Sequence, residues 1–205
     1  MKSSLSPADS ASARERLLAA AEQLIYRGGI HATGIDAIVR QSGAARKSMY
    51  AHFASKDELV AAALERRDER WMNWFEAGVR GAGHSPRAQL LAVFDVLRSW
   101  FVTDDFHGCA FLNAAGEIAL PEDPIRRVAQ MHKARLLAFV ETVCIAYGQQ
   151  CHPALGLDQA QALARQWLIL IDGAIGVALV SGNPDAAGDA LAVATLLLSH
   201  PTQPT

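Results

Sequence analysis

The stretch Thr33–Lys56, TGIDAIVRQSGAARKSMYAHFASK, constrains the fold most, because it holds two short helical patterns with room only for a tight turn between them. Ile35, Ile38 and Val39 mark the buried side of the first, and Met49 and Phe53, four residues apart, anchor the second from Ala45 to Phe53. Gly43 stands at the turn, where a positive φ costs least without a Cβ. Thr33 with Asp36 and Ser55 with Glu58 read as capping boxes at either end. A further box, Ser12 with Glu15, opens a helix whose apolar face is Leu17, Leu18, Ala21, Leu24 and Ile25, and Gly28-Gly29 stops it. Residues 12–56 therefore spell a three-helix module, preceded by a Ser-rich segment, 1–11, expected to be a disordered N-terminal tail.

The rest of the chain, 57–205, reads as helices throughout. A helix from Ser55 to about Arg80 spans some 35 Å, too long for the module alone, and Gly81–His84 ends it. Ser85-Pro86 places an N-cap before Pro at the first helical position and starts a helix to about Val102. A short segment follows from Cys109 to Ala119, then a long helix from Pro124 to Tyr147. Asp158 and Gln161 are expected to cap an apolar helix ending at Val180, and Asn183-Pro184 to cap a last one ending near His200. The expected architecture is all-α, with about nine helices.

Charge is unevenly spread. The whole chain is near neutral at −2, but residues 1–56 carry eight Lys/Arg against four acids, leaving eleven against seventeen in 57–205. A basic module on an acidic body fits a phosphate-facing end. The three cysteines, Cys109, Cys144 and Cys151, are odd in number and lack CxxC spacing, which suits reduced thiols in a cytoplasmic protein. No two of His107, Cys109 and His132 have metal-ligand spacing on one helix. The chain has no G-x-S-x-G, Gly-rich phosphate loop or H-E-x-x-H, so neither an enzyme nor a cofactor is expected. The most apolar run, Trp167–Val180, is interrupted by Asp172 and reads as a buried helix too short to span a bilayer.

With Met49 facing inward, Lys47 and Ala51 point away from the module, flanked by Arg46, Ser48 and Tyr50. A face that is cationic, hydroxyl-bearing and nearly bare at Ala51 suits a helix inserted in a DNA groove. Arg40 ends the preceding helix and is placed for a backbone contact, while Thr33 and Lys56 sit at helix N-termini, which favour phosphate. The competing reading is a helical ligand-binding or interaction protein whose basic module binds an acidic protein.

Residues 14–64 resemble the N-terminal domain of tetracycline-repressor-type (TetR family) transcriptional regulators. The residues that carry the resemblance are Gly28/Gly29, Thr33 with Ile35 and Ile38, Ser42-Gly43, Ser48-Met49-Tyr50-x-His52-Phe53 and Lys56-x-x-Leu59. It implies that Thr33, Tyr50, His52 and Lys56 contact phosphates and that Ala45–Ser48 face the groove. Ala45 stands where Ser is common and Lys47 where Gly or Pro is common, so the contact set is this chain's own. The block His107–Asn113, HGCAFLN, is similar to a segment of some family members.

The resemblance further implies a C-terminal helical domain that dimerises through its last two helices, about 158–199, and encloses a pocket for a small-molecule effector. The sequence supports the pairing independently. Trp167, Leu168, Ile171, Ile175, Val177, Leu179 and Val180 cover more of a helix than an internal core needs, beside Gly173, Ala174, Gly176 and Ala178. Leu191, Ala194, Leu197 and Leu198 make a second apolar face. Candidate pocket residues are Trp71, Phe75, Phe101, Phe111, Asn113, His132, Trp167 and Asp172, aromatic or polar groups on apolar faces. Asp172 stands out, since an acid within an apolar helix must be paired, solvated or protonated. The expected function is a ligand-responsive repressor released from a double-stranded DNA operator, with no membrane partner.

Overall fold

The computed structural model describes residues 12–199; the expected tail at 1–11 lies outside them. Among the described residues there are nine α-helices and no strand: α1 (Ala13–Gly28), α2 (Ile35–Ser42), α3 (Arg46–His52), α4 (Lys56–Gly81), α5 (Pro86–Phe101), α6 (Ala110–Glu117), α7 (Pro124–Gln150), α8 (Leu157–Ser181) and α9 (Ala186–Ser199). The chain divides into two compact units. The first holds residues up to Glu69 together with Ala110–Gln130; the second holds Arg70–Cys109 and residues from Met131 onward. The division falls within α4 and α7, and α6 groups with the N-terminal helices.

In the first unit α1 packs on α2 and α3. Its Ser12 hydroxyl accepts from Glu15 N at 3.2 Å. Leu17, Ile38 and Met49 are fully buried and Phe53 nearly so, as the spacing predicts. Gly43 adopts φ +62°, the left-handed conformation that a tight turn between α2 and α3 requires. One cap differs from expectation. The N-cap of α2 is Gly34, with no side-chain cap, because Thr33 turns back and donates its hydroxyl to Gly29 O at 2.7 Å. Ser55 does cap α4, accepting from Glu58 N at 3.0 Å, while the Glu58 carboxylate accepts from Ala54 N at 2.7 Å.

Two charged contacts hold this unit from within. Arg67 of α4 donates to the buried Glu22 of α1 at 3.2 Å and lies over the Tyr26 ring, 3.5 Å from its centroid. The Glu117 carboxylate at the end of α6 accepts from Ile30 N (2.9 Å) and His31 N (2.8 Å) and pairs with His31 Nδ1 at 3.0 Å. Burial raises the Glu117 pKa, but the two backbone donors and the imidazole outweigh it, holding the carboxyl below its ordinary 4.5.

In the second unit α5, α8 and α9 pack mutually. Trp167 is fully buried, its indole N–H donating to Leu90 O at 3.0 Å. The cap of α8 is Gly156, not Asp158: Gln159 Oε1 accepts from Gly156 N at 2.8 Å. Before α9 the Asn183 side chain accepts from Asp185 N at 2.9 Å, but it is Asp185 that immediately precedes the helix, its carbonyl accepting from Asp189 N at 3.1 Å, so the expected cap at Asn183 lies outside the helix start. α8 spans Leu157–Ser181, close to the expected Asp158–Val180; only its apolar run, 167–180, reads as too short to cross a bilayer. The whole helix runs 25 residues and is, by length and composition alone, long and apolar enough to cross a membrane. Asp172 lies within it, its charge met by Lys133 of α7. One face of α8, including Leu163, Trp167, Ile171 and Ile175, is buried.

Arg67→Ala leaves the Glu22 carboxylate buried without its guanidinium, and urea denaturation is expected to read a loss of about 3 kcal/mol or more. Glu117→Gln is expected to cost about 1 kcal/mol at neutral pH. Because the folded pKa of Glu117 is depressed, its contribution is present above 4.5 and disappears as pH falls through the lower folded value. The gap between parent and variant in melts run across pH should therefore close on the acid side.

Candidate nucleic-acid interface

A helix of seven residues such as α3 presents only two turns, and burial of Met49 decides which side faces out. Opposite it, Arg46, Lys47, Tyr50 and Ala51 are exposed, Tyr50 to 50%, and Ser48 is half-buried. Ala45 is the N-cap of α3 and offers no side-chain acceptor, so its N-terminal N–H groups have no side-chain cap. The Arg46 guanidinium donates to Asp36 of α2 and lies 6.0 Å from the Tyr50 ring centroid. Exposed Arg40 lies in the last turn of α2. His52 is exposed, its ring edge-on to Phe53 at 6.4 Å.

Thr33 and Lys56 are placed differently from the other candidates. Thr33 is buried, its hydroxyl committed to Gly29 O, and Lys56 Nζ donates to Ile30 O at 2.6 Å. Both side chains fix the loop between α1 and α2. The structure thus gathers Arg40, Ala45, Arg46, Lys47, Ser48, Tyr50 and His52 on α2, the turn and α3, and sets Thr33 and Lys56 on the loop beside them. Two contributors went unread in the sequence. Asp36 was assigned to a cap and instead holds Arg46; Glu117 is 86 residues away from His31, beyond the reach of any local pattern.

The effector candidates fall into separate places. Trp71 and Phe75 stack at 4.8 Å, and His132 meets Trp71 edge-on at 5.3 Å. Trp74 and Trp100 close on Trp71 at 5.9 and 5.7 Å, and Phe101 joins Trp100 directly and through Phe106. This aromatic cluster lies wholly in the second unit, and the buried Trp71 indole N–H has no hydrogen-bond acceptor there. Trp167 belongs to a different packing site against Phe94, and Asp172 is taken by Lys133. Phe111 and Asn113 lie in the first unit, where Asn113 lines a cavity of about 10 Å³ with Tyr26, Leu64, Arg67 and Glu117. That volume holds about one water molecule. No cluster of metal-ligating side chains occurs among the described residues, and burial pushes the Cys144 thiol up to about 12.

The profile described as bacterial regulatory proteins, tetR family, matches residues 17–63, which contain α2, the turn and α3. The SCO4454 structure from Streptomyces coelicolor, a TetR-family transcriptional regulator, is 29% identical, with 93% of this chain and 96% of that chain covered and a TM-score of 0.82. A Streptomyces avermitilis chain assigned to the tetR transcriptional regulators is 32% identical, with 90% and 99% covered and a TM-score of 0.72. The HTH-type transcriptional regulator LmrA of Bacillus subtilis is 29% identical over 114 residues, 55% of this chain and 61% of LmrA. The chain thus spans about three fifths of that curated relative's length. On the matched profile and the near-complete coverage of a 32% identical structure, the chain belongs to the tetR family of bacterial regulatory proteins.

Proposed function

We propose that the chain is a DNA-binding transcriptional regulator acting in the cytoplasm as a homodimer, and that a small molecule releases it from its operator as a repressor. The exposed face of α3 opposite buried Met49 carries this reading. Arg46 and Lys47 suit guanine edges or phosphates, Tyr50 and His52 suit phosphates, and bare Ala51 permits close approach to a groove. Arg40 and the uncapped start of α3 at Ala45, with Ser48, complete the contact set.

Pairing is supported by the outer faces of α8 and α9. Ile169 is 71% and Val180 88% exposed, with Val177 and Leu179 beside them and Val193 and Leu196 on α9. A second copy covering these faces, rather than lipid, makes a four-helix interface of the kind obligate dimers use. The two α3 helices of such a dimer must lie about 34–36 Å apart to read both half-sites. α4 passes from the first unit into the second as one continuous helix, which suits it to convert an effector's arrival into a change of that spacing. For the effector, the aromatic cluster around Trp71, Phe75, Phe101 and His132 is the favoured wall, suited to a planar or lipophilic molecule.

Fluorescence anisotropy with duplexes tiling the region upstream of the chain's own gene tests the DNA reading. Lys47→Ala and Tyr50→Ala are each expected to weaken binding about tenfold, and Lys47→Ala to reduce the salt slope by about one. Binding by both variants at parental strength sinks it. Sedimentation tests the pairing: the parent is expected at twice the 22.0 kDa chain mass, and Ile169→Lys with Val177→Lys at the chain mass. A parent that sediments as one chain at micromolar concentration removes the dimer.

A further inference from the structure

Asp36 is the only acid between Thr33 and Lys56, and it meets Arg46 on the exposed face of the helix-turn-helix. It lies in the first turn of α2 with its side chain 76% exposed. A carboxylate so placed works against binding to a polyanion, since it repels phosphate and offsets the cation it pairs with. Stability does not account for it either, because an ion pair exposed on both sides adds little.

What the pair changes is the freedom of Arg46. The guanidinium donates from α3 across to Asp36 Oδ1 on α2. It also lies 6.0 Å from the centroid of the Tyr50 ring, one turn further along α3, at the outer limit of a cation–π contact. One long side chain is thus bracketed by a carboxylate on the neighbouring helix and an aromatic ring on its own. The contact to Asp36 uses Nη1, which leaves the N–H groups of Nη2 and Nε for another acceptor.

A guanine presents O6 and N7 side by side, and two parallel N–H groups of an arginine fork fit them. A phosphate accepts a cation from many directions and asks for no such orientation. Restraint of the fork before binding therefore favours the base edge, because less side-chain freedom is lost on reaching it. We infer that Asp36 is a specificity-determining positioning residue: it holds the Arg46 fork for a guanine edge and, by its own charge, weakens attachment to other sequences. The first effect rewards the right base, and the second penalises binding through the backbone alone. This rests on the DNA-binding reading above.

The experiment is fluorescence anisotropy over a range of salt, with the tightest-bound duplex from the region upstream of the chain's gene and the same duplex with its bases shuffled. The proteins are the full-length parent, Asp36→Asn, Arg46→Ala and the double variant. Asp36→Asn is expected to bind the shuffled duplex about threefold tighter, with a salt slope steeper by about one as Arg46 becomes free to neutralise a phosphate. Its preference for the upstream duplex is expected to fall about tenfold. Among single G·C→A·T replacements in that duplex, one is expected to weaken the parent about tenfold and Asp36→Asn about threefold or less. In the Arg46→Ala background, Asp36→Asn is expected to shift both duplexes alike and leave the preference unchanged. An Asp36→Asn protein that keeps the parental preference overturns the assignment. So does one that weakens both duplexes alike, as a residue that merely sets the angle between α2 and α3 would. A loss of preference that is equally large without Arg46, or a parent that no G·C replacement weakens, overturns it too. A parent that binds neither duplex, or both equally, removes the DNA reading itself, and the role of Asp36 falls with it.

Discussion

A helix of seven residues is far too short to persist alone in water, so α3 exists only because Met49 and Phe53 are buried against α1. That burial determines which residues face out, and the Gly43 turn, with its left-handed backbone, determines the angle at which they do so. Burial of about two large side chains is worth a few kcal/mol, comparable to the whole stability of a small module. The reading surface therefore has little freedom. Its chemistry is whatever side chains remain once Met49 and Phe53 are inward, and here these are two cations, a tyrosine and an alanine.

The same argument explains what was legible in the sequence. Helical periodicity and Gly punctuation place all nine helices, since both act within a few residues. The outward placing of Lys47 and Ala51, flanked by Arg46, Ser48 and Tyr50, follows from one inward anchor and 100° per residue, whereas Arg40 is read from the end of α2 and His52 from the family resemblance. What was misread are choices between near-equivalent local partners. Thr33 has a capping geometry available at α2 and a carbonyl at Gly29, and it takes the carbonyl. Gly156 rather than Asp158 starts α8 because Gln159 reaches back to its N–H. Glu117 was unreadable for a different reason: its partners are fixed only once the chain has returned to the first unit.

The ionisable groups inside apolar helices show a related limit. Asp172 in α8 was legible as a group needing compensation, but not as the partner of Lys133. The pair is partly exposed, its side chains at 26% and 21%, so it satisfies the acid without adding much stability. α8 runs for 25 residues and has two apolar faces, one against α5 and α9 and one exposed. A helix with a single apolar face would be consistent with a finished monomer core. A helix with two leaves a surface that water solvates poorly, and Gly173 and Gly176, with nothing within contact distance of an added Cβ, leave its backbone open to close approach.

Two kinds of tie hold the first unit together, and they differ in how they yield. Helix packing transmits displacement over many contacts and is hard to break by a single event. Hydrogen bonds to one carboxylate are few, directional and replaceable by water at modest cost. The first unit uses both. α1 to α3 are joined by packing around Leu17, Ile38 and Met49, which keeps the reading face rigid. α6 contributes both, burying Ala110, Phe111 and Ala114 and holding the α1–α2 loop through Glu117. The reading face thus has a packed core behind it and a loop beside it whose backbone is held by a carboxylate rather than by side-chain packing.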